Sequence, residues 1–98
     1  MSDSLQLDRD VVLQHGPAIL SCQVGNDTVL LDSAGGRYYS LDEVGGRIFE
    51  LVGAGRSLGA IHEALVAAYD ATPDLLWSDL VAFCTRLATL GLVVDSRS

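Results

Sequence analysis

The stretch from residue 28 to residue 52, TVLLDSAGGRYYSLDEVGGRIFELV, limits the fold more than any other part of the chain. It holds two short strand-like runs, residues 28–31 and Arg37–Leu41, joined by a loop containing Gly35-Gly36. A capped helix follows at once. The first run carries Val29, Leu30 and Leu31 and suits a sheet buried on at least one face. The second carries two adjacent tyrosines and a serine. At a sheet edge, such a run exposes unpaired backbone N–H and C=O groups. An open edge beside an apolar groove captures an extended peptide as one more strand.

Upstream, residues 11–13 and 18–24 are two further strand candidates, separated by Gly16-Pro17. In the run AILSCQV, Ile19, Ser21 and Gln23 share one face, while Leu20, Cys22 and Val24 share the other. Gly25-Asn26-Asp27 is a turn signal. The N-terminal half therefore reads as a meander of three or four strands, preceded by a loose arm over residues 1–8.

The C-terminal half reads as helical. Asp42 caps a helix to about Val52, where Gly53 ends it, with Val44, Ile48, Leu51 and Val52 at helical spacing. Ser57 caps a second, with Leu58, Ile61, Leu65 and Ala68 on one face. Thr72-Pro73 opens a third, with threonine as N-cap, proline in the first turn and Asp74 favourable to the dipole. It runs to about Leu90, and Gly91 stops it. Leu92-Val93-Val94 is a candidate final strand. On the third helix, Leu76, Trp77, Leu80, Val81, Phe83, Cys84, Leu87, Ala88 and Leu90 fill an arc of about 180°. A helix packed on one core needs little more than about 100°. The surplus packs on the sheet, meets a partner subunit or lines a groove.

Ninety-eight residues make one domain, with an ordered core expected over residues 10–94. An apolar content of 49% is too high for general disorder. Thirteen acids against six arginines give a net charge of −7, which disfavours nucleic acid and anionic membranes. The N-terminus MSDSLQLDRD lacks the apolar core of a secretory signal, and no run approaches the roughly 20 apolar residues of a spanning helix. A cytoplasmic location is expected.

Catalytic signals are weak. Cys22 and Cys84 lie far apart and match no zinc or redox spacing, so reduced thiols, at least one buried, are expected. His15 and His62 are the only histidines, and nothing in the spacing ties either to a cysteine as a nucleophile pair. Asp42-Glu43 is explained by capping. Asp74 and Asp79 lie too far round the helix to share a metal easily. Gly53-Ala54-Gly55-Arg56 lacks the lysine and spacing of a phosphate loop. The reading is no catalytic residue, no metal and no cofactor. Strands followed by three helices also fit a winged helix-turn-helix DNA-binding regulator, but the third helix offers only Arg86 to DNA, beside Asp74 and Asp79.

Taken in order, the segments are distinctive. A strand ending "LLD", a Gly-containing turn, "YYSL" plus an acid, a helix with a bulky aromatic, GRSLGAIHEAL and the closing RLATLGLV resemble the PqqD-like family, the RiPP recognition elements. The resemblance covers residues 24–94. The stand-alone form is most similar to the recognition subunit of lasso-peptide biosynthesis; the alternative is a PqqD-type peptide chaperone in cofactor biosynthesis.

The resemblance implies an α+β, winged-helix-like fold, with a three-stranded antiparallel sheet packed on three helices. It implies binding of the leader of a ribosomally made precursor peptide, without catalysis, for delivery to a leader-cleaving protease and an ATP-dependent cyclase. The leader would add as an antiparallel strand along Arg37, Tyr38, Tyr39, Ser40 and Leu41. The facing groove wall would come from Leu76, Trp77, Leu80, Phe83 and Cys84. Asp79 and Arg37 are placed to meet leader charges. Phe49 stands where many relatives carry tryptophan and reads as core. No nucleic acid or membrane partner is implied, and a monomer or weak dimer is expected.

Overall fold

The computed structural model describes residues 7–96. Of the arm expected over residues 1–8, residues 1–6 lie outside the described residues, and Leu7 packs against the core. Within the described residues, five strands and three helices run in the order β1 (Leu13–His15), β2 (Ile19–Val24), β3 (Asp27–Asp32), β4 (Arg37–Leu41), α1 (Glu43–Gly53), α2 (Leu58–Ala68), α3 (Pro73–Thr89) and β5 (Val93–Asp95). The fold is α+β, with β2, β3 and β4 forming an antiparallel sheet of order β2-β3-β4.

The first strand departs from the sequence expectation. It starts two residues later than read and does not join the meander. It pairs antiparallel with β5, His15 opposite Val93 and Leu13 opposite Asp95. The preceding residues strap to α2 instead: Leu58 N–H donates to Val11 C=O at 2.9 Å and Gly59 N–H to Arg9 C=O at 3.0 Å. Local pattern identified a strand there, but pairing with a partner about 80 residues away is not a local property.

Register in the three-stranded sheet follows from its turns. Val24 faces Asp27 across Gly25-Asn26, and among these residues only Gly25 has positive φ, 62°. That is the pattern of a type II′ turn, whose flanking residues form a hydrogen-bonded pair. The alternation then points the backbone groups of Val29 and Leu31 at β2 and those of Thr28, Leu30 and Asp32 at β4. The bond from Ser33 N–H to Ala18 C=O, 2.9 Å, continues it. The second turn is held by Asp32, whose carboxylate accepts from the N–H groups of Ala34 and Gly35, both at 3.1 Å. Gly36, at φ 67°, brings the chain back.

The sheet buries one face along β3 and β4, while β2 beyond Ile19 is exposed on both. Leu30 and Leu41 enter the core with Ile48, Phe49 and Val52 of α1, Leu58, Ile61 and Leu65 of α2, and Leu80, Cys84 and Leu87 of α3. The other face leaves Leu20, Val24 and Tyr38 exposed. Helix α1 begins where expected, the Asp42 carboxylate accepting from Gly45 N–H at 2.8 Å. Its last residue is Gly53, but the glycine that stops it lies two residues further on. Gly55, at φ 81°, takes the left-handed position, and the Arg56 N–H reaches back to Leu51 C=O at 3.3 Å. Gly53 serves close packing: a Cβ there would lie 2.6 Å from the His15 ring. Helix α3 ends in the same way at Gly91, with Leu92 N–H bonded to Leu87 C=O at 2.9 Å. This places Leu92, nearly fully buried, under the end of the helix.

Candidate functional site

Among the described residues, β4 has β3 on one side and no strand on the other. Its register, Leu30 opposite Tyr39 and Thr28 opposite Leu41, assigns each backbone group a direction. Arg37, Tyr39 and Leu41 bond inward to β3. Tyr38 and Ser40 turn their N–H and C=O groups to the open edge. Side chains alternate independently across the sheet: Leu41 is buried and Tyr39 half-buried, while Tyr38 is 72% exposed on the outer face.

Beside this edge lies a groove of about 660 Å³. Tyr39, Ser40 and Leu41 form one wall, Asp42, Val44 and Gly45 of the α1 start close one end, and α3 forms the other wall. Gly45 lets α1 pass close to α3, since a Cβ would stand 3.0 Å from the Phe83 ring. The adjacent Gly46 does the same against Thr28 of β3. Two glycines in a helix cost about 1 kcal/mol each relative to alanine, which the close approach of α1 to sheet and α3 offsets.

The surplus arc of α3 divides into three sectors. Taking Leu80 as zero and 100° per residue, Leu76, Leu87 and Cys84 fall within about 40° of it. Leu80, Cys84 and Leu87 are buried in the core. Trp77, Val81 and Ala88 lie about 60–100° to one side. There Trp77 meets the α2 ring of His62 at 5.4 Å, edge-on, and carries the Arg9 guanidinium 5.4 Å above its own ring. Asp79, Ala82, Phe83, Arg86 and Leu90 lie to the other side and, with Leu87, line the groove.

The structure thus brings Tyr39, Ser40, Leu41, Asp79 and Phe83 together around one groove. Tyr38 stands on the same edge, facing the outer side, and Arg37 lies at the far end of the strand. Leu80 and Cys84 are sealed in the core, and Leu76 and Trp77 are half-buried against it, away from the groove. Sequence reasoning did not select Asp42, Val44, Gly45, Ala82, Arg86, Leu87, Leu90 and Leu92 as lining residues. One signal was available: 79, 82, 83, 86, 87 and 90 repeat at helical spacing as a stripe that mixes charge with apolar side chains.

Both histidines are engaged in hydrogen bonds. Arginine only donates, so the 3.0 Å bond from Arg9 Nη1 makes His62 Nδ1 an acceptor, and Nε2–H donates to Pro73 C=O at 2.8 Å. Burial pushes the Cys84 thiol from 9.0 up to about 12, which suppresses the thiolate. His15 stacks on Phe49 with ring centroids 3.7 Å apart, and its Nε2 donates to Phe49 C=O at 2.7 Å. His15 and Cys22 border a second hollow of about 620 Å³ between β2 and α1. No hydrogen bond joins them. Among the described residues, no group of three potential metal ligands converges and no helix is long and apolar enough to cross a membrane.

Fold and groove together define a winged-helix-like α+β module whose sheet ends in an open edge over an apolar, partly charged cleft. The family model described as "Coenzyme PQQ synthesis protein D (PqqD)" matches residues 27–93, and the chain belongs to that family. Two solved structures are similar. TbiB1 in complex with the TbiA(beta) leader peptide is 31% identical with a TM-score of 0.78, covering 82% of this chain and 93% of that one. Lasso peptide synthetase B1 complexed with the leader peptide is 24% identical with a TM-score of 0.79, covering 85% and 98%, a likeness of fold. A comparison with curated proteins found no match.

Proposed function

We propose that this chain binds the leader segment of a ribosomally made precursor peptide and presents it, unaltered, to separate maturation enzymes of the lasso-peptide type, a leader-cleaving protease and an ATP-dependent cyclase. The observation that carries this reading is the 31% identity, over most of both chains, to a protein solved with a leader peptide bound. The open β4 edge and its groove supply a physical route. The leader adds antiparallel to β4, pairs with the outward groups of Tyr38 and Ser40, and lowers alternate side chains between Tyr39, Leu41, Phe83 and Leu90. Leu76, Trp77, Leu80 and Cys84 support that wall from behind, and Arg37 meets the leader at the strand's far end.

Main-chain pairing alone does not hold the peptide. Ordering five residues costs roughly 5–10 kcal/mol of backbone entropy. Four hydrogen bonds return roughly 2–6 kcal/mol. The remainder comes from apolar anchors, at roughly 1.5–3 kcal/mol for each large side chain buried. A groove beside the edge is therefore as necessary as the edge.

The described residues assemble no catalytic constellation: Cys84 is sealed and protonated, and His62 is committed at both nitrogens. We therefore read the chain as a binding protein. Isothermal titration with the leader of its cognate precursor should give saturable binding and a negative ΔCp from apolar burial. Recovery of that leader cleaved or chemically changed after incubation with the purified protein alone would overturn the reading.

A further inference from the structure

The groove carries two charges with nothing to neutralise them. Asp79 and Arg86 both line it and are exposed, and among the described residues neither side chain makes a hydrogen bond or ion pair. Arg47 is paired with Glu50 at 2.9 Å and Arg9 with Glu63 at 3.6 Å, while Arg37 and Arg56 are, like Arg86, without a side-chain partner among the described residues; what sets Asp79 and Arg86 apart is that both stand on the groove wall. Asp42, the third charge in the groove, spends its carboxylate capping α1.

Asp79 and Arg86 are seven residues apart on α3, which is two turns, about 10.5 Å along the axis and nearly the same azimuth. Phe83 lies between them. Opposite signs thus stand at two points of one wall, with an aromatic floor between. A strand advances about 3.4 Å per residue, and its groove-facing side chains recur every second residue. An arginine side chain spans several ångströms, so the two charges are reached from groove-facing positions two or four residues apart.

Resting on the reading of this groove as a peptide site, we infer that Asp79 and Arg86 select the charge pattern and register of the bound strand. The favoured occupant is an extended peptide with apolar groove-facing residues, one carboxylate directed at Arg86 and one basic side chain directed at Asp79. Exposed ion pairs add little affinity. Their effect lies in discrimination, because a slip takes each charge off its partner, and a slip by the full spacing, or a peptide of the reverse pattern, sets like charges together. This is a task that main-chain pairing cannot perform, since every peptide has the same backbone.

The test uses a display library of randomised twelve-residue peptides, selected on the full chain. Amide exchange with the selected peptides establishes first where they bind. Protection of Arg37–Leu41 is expected, and the selected sequences should carry an acid and a base two or four positions apart on one face. Arg86→Glu should weaken them about fivefold, and exchanging the peptide's acid for lysine should restore binding to that variant. Arg86→Gln, which keeps a helix-compatible side chain, should give a smaller loss, and thermal melts establish that both variants are folded. Peptides that protect β4 yet bind wild type and Arg86→Glu within twofold of each other overturn the charge selection and leave the groove standing as a peptide site. Failure of any peptide to protect β4 overturns both.

Discussion

Tyr39 and Ser40 are neighbours in β4 with opposite obligations. Tyr39 bonds inward to Leu30, and its ring is half-buried against the core. Ser40 turns its backbone groups outward. Proline at 39 therefore removes a ladder bond and a packed ring, and should destabilise the fold by roughly 3 kcal/mol or more. Proline at 40 removes a donor that no described strand uses. Ser40→Pro should leave the thermal midpoint close to wild type, abolish the outward N–H and weaken leader binding, whereas Tyr39→Phe should bind normally. Equal leader affinity for Ser40→Pro and wild type would count against strand addition.

Cys84 and Cys22 make a second residue-scale contrast, one thiol buried and one exposed. Alkylation of the native protein near pH 8 should modify Cys22 and reach Cys84 only after denaturant is added. The pH dependence of stability has a definite sign. The Cys84 pKa is raised in the folded state, from 9.0 to about 12, so the folded protein holds that proton more tightly than the unfolded chain. Its contribution is fully present below pH 9.0 and is lost as pH rises toward 12. Urea midpoints of Cys84→Ala should start lower than wild type, because a small cavity is left, but should fall less between pH 8.5 and 10.5.

At the scale of elements, α3 separates support from contact. Leu80 is fully buried, and Leu80→Ala should cost roughly 2–5 kcal/mol of stability while the folded fraction binds leader nearly as well as wild type. Phe83 is half-buried and lines the groove, so Phe83→Ala should cost less stability and more affinity. Amide exchange is the complementary measurement. Bound leader should protect Arg37–Leu41 and leave residues 58–69 of α2 little changed; protection of α2 alone would place the peptide elsewhere. The α3 periodicity was legible as a wide apolar arc. The division of that arc into α2 contact, core and groove was not, because angular spacing fixes which residues are neighbours on the helix and not which element each sector meets. Leu80 and Phe83 differ by only about 60° of azimuth, yet one is sealed and the other faces the cleft.

For the molecule as a whole, charge and shape point in different directions, and charge decides. Three helices and a small sheet suit a winged-helix DNA binder, but the net charge is −7 and the groove side of α3 presents Asp79 beside Arg86. In an electrophoretic shift assay with random duplex at low salt, no retained complex is expected. A complex weakened steeply by added salt would mark phosphate contacts and refute that expectation.

The strands from 19 to 41 and all three helices were written locally, because turns and caps act within a few residues. Gly25, Gly36 and Gly91 supply positive φ, and Asp42, Ser57 and Thr72 accept from the N–H three residues on. The run Arg37–Leu41 was readable as a strand between a glycine turn and a helix cap, and its place at the sheet edge was expected only through the family resemblance. Tertiary structure alone decided the rest. It paired β1 with β5 across the length of the chain, set Gly53 against His15 and gave the left-handed stop after α1 to Gly55. It also brought Leu92 and the start of α1 to the α3 groove beside β4. Those outcomes depend on which surfaces meet, and long-range packing is encoded by the complementarity of whole faces rather than by any short run of residues.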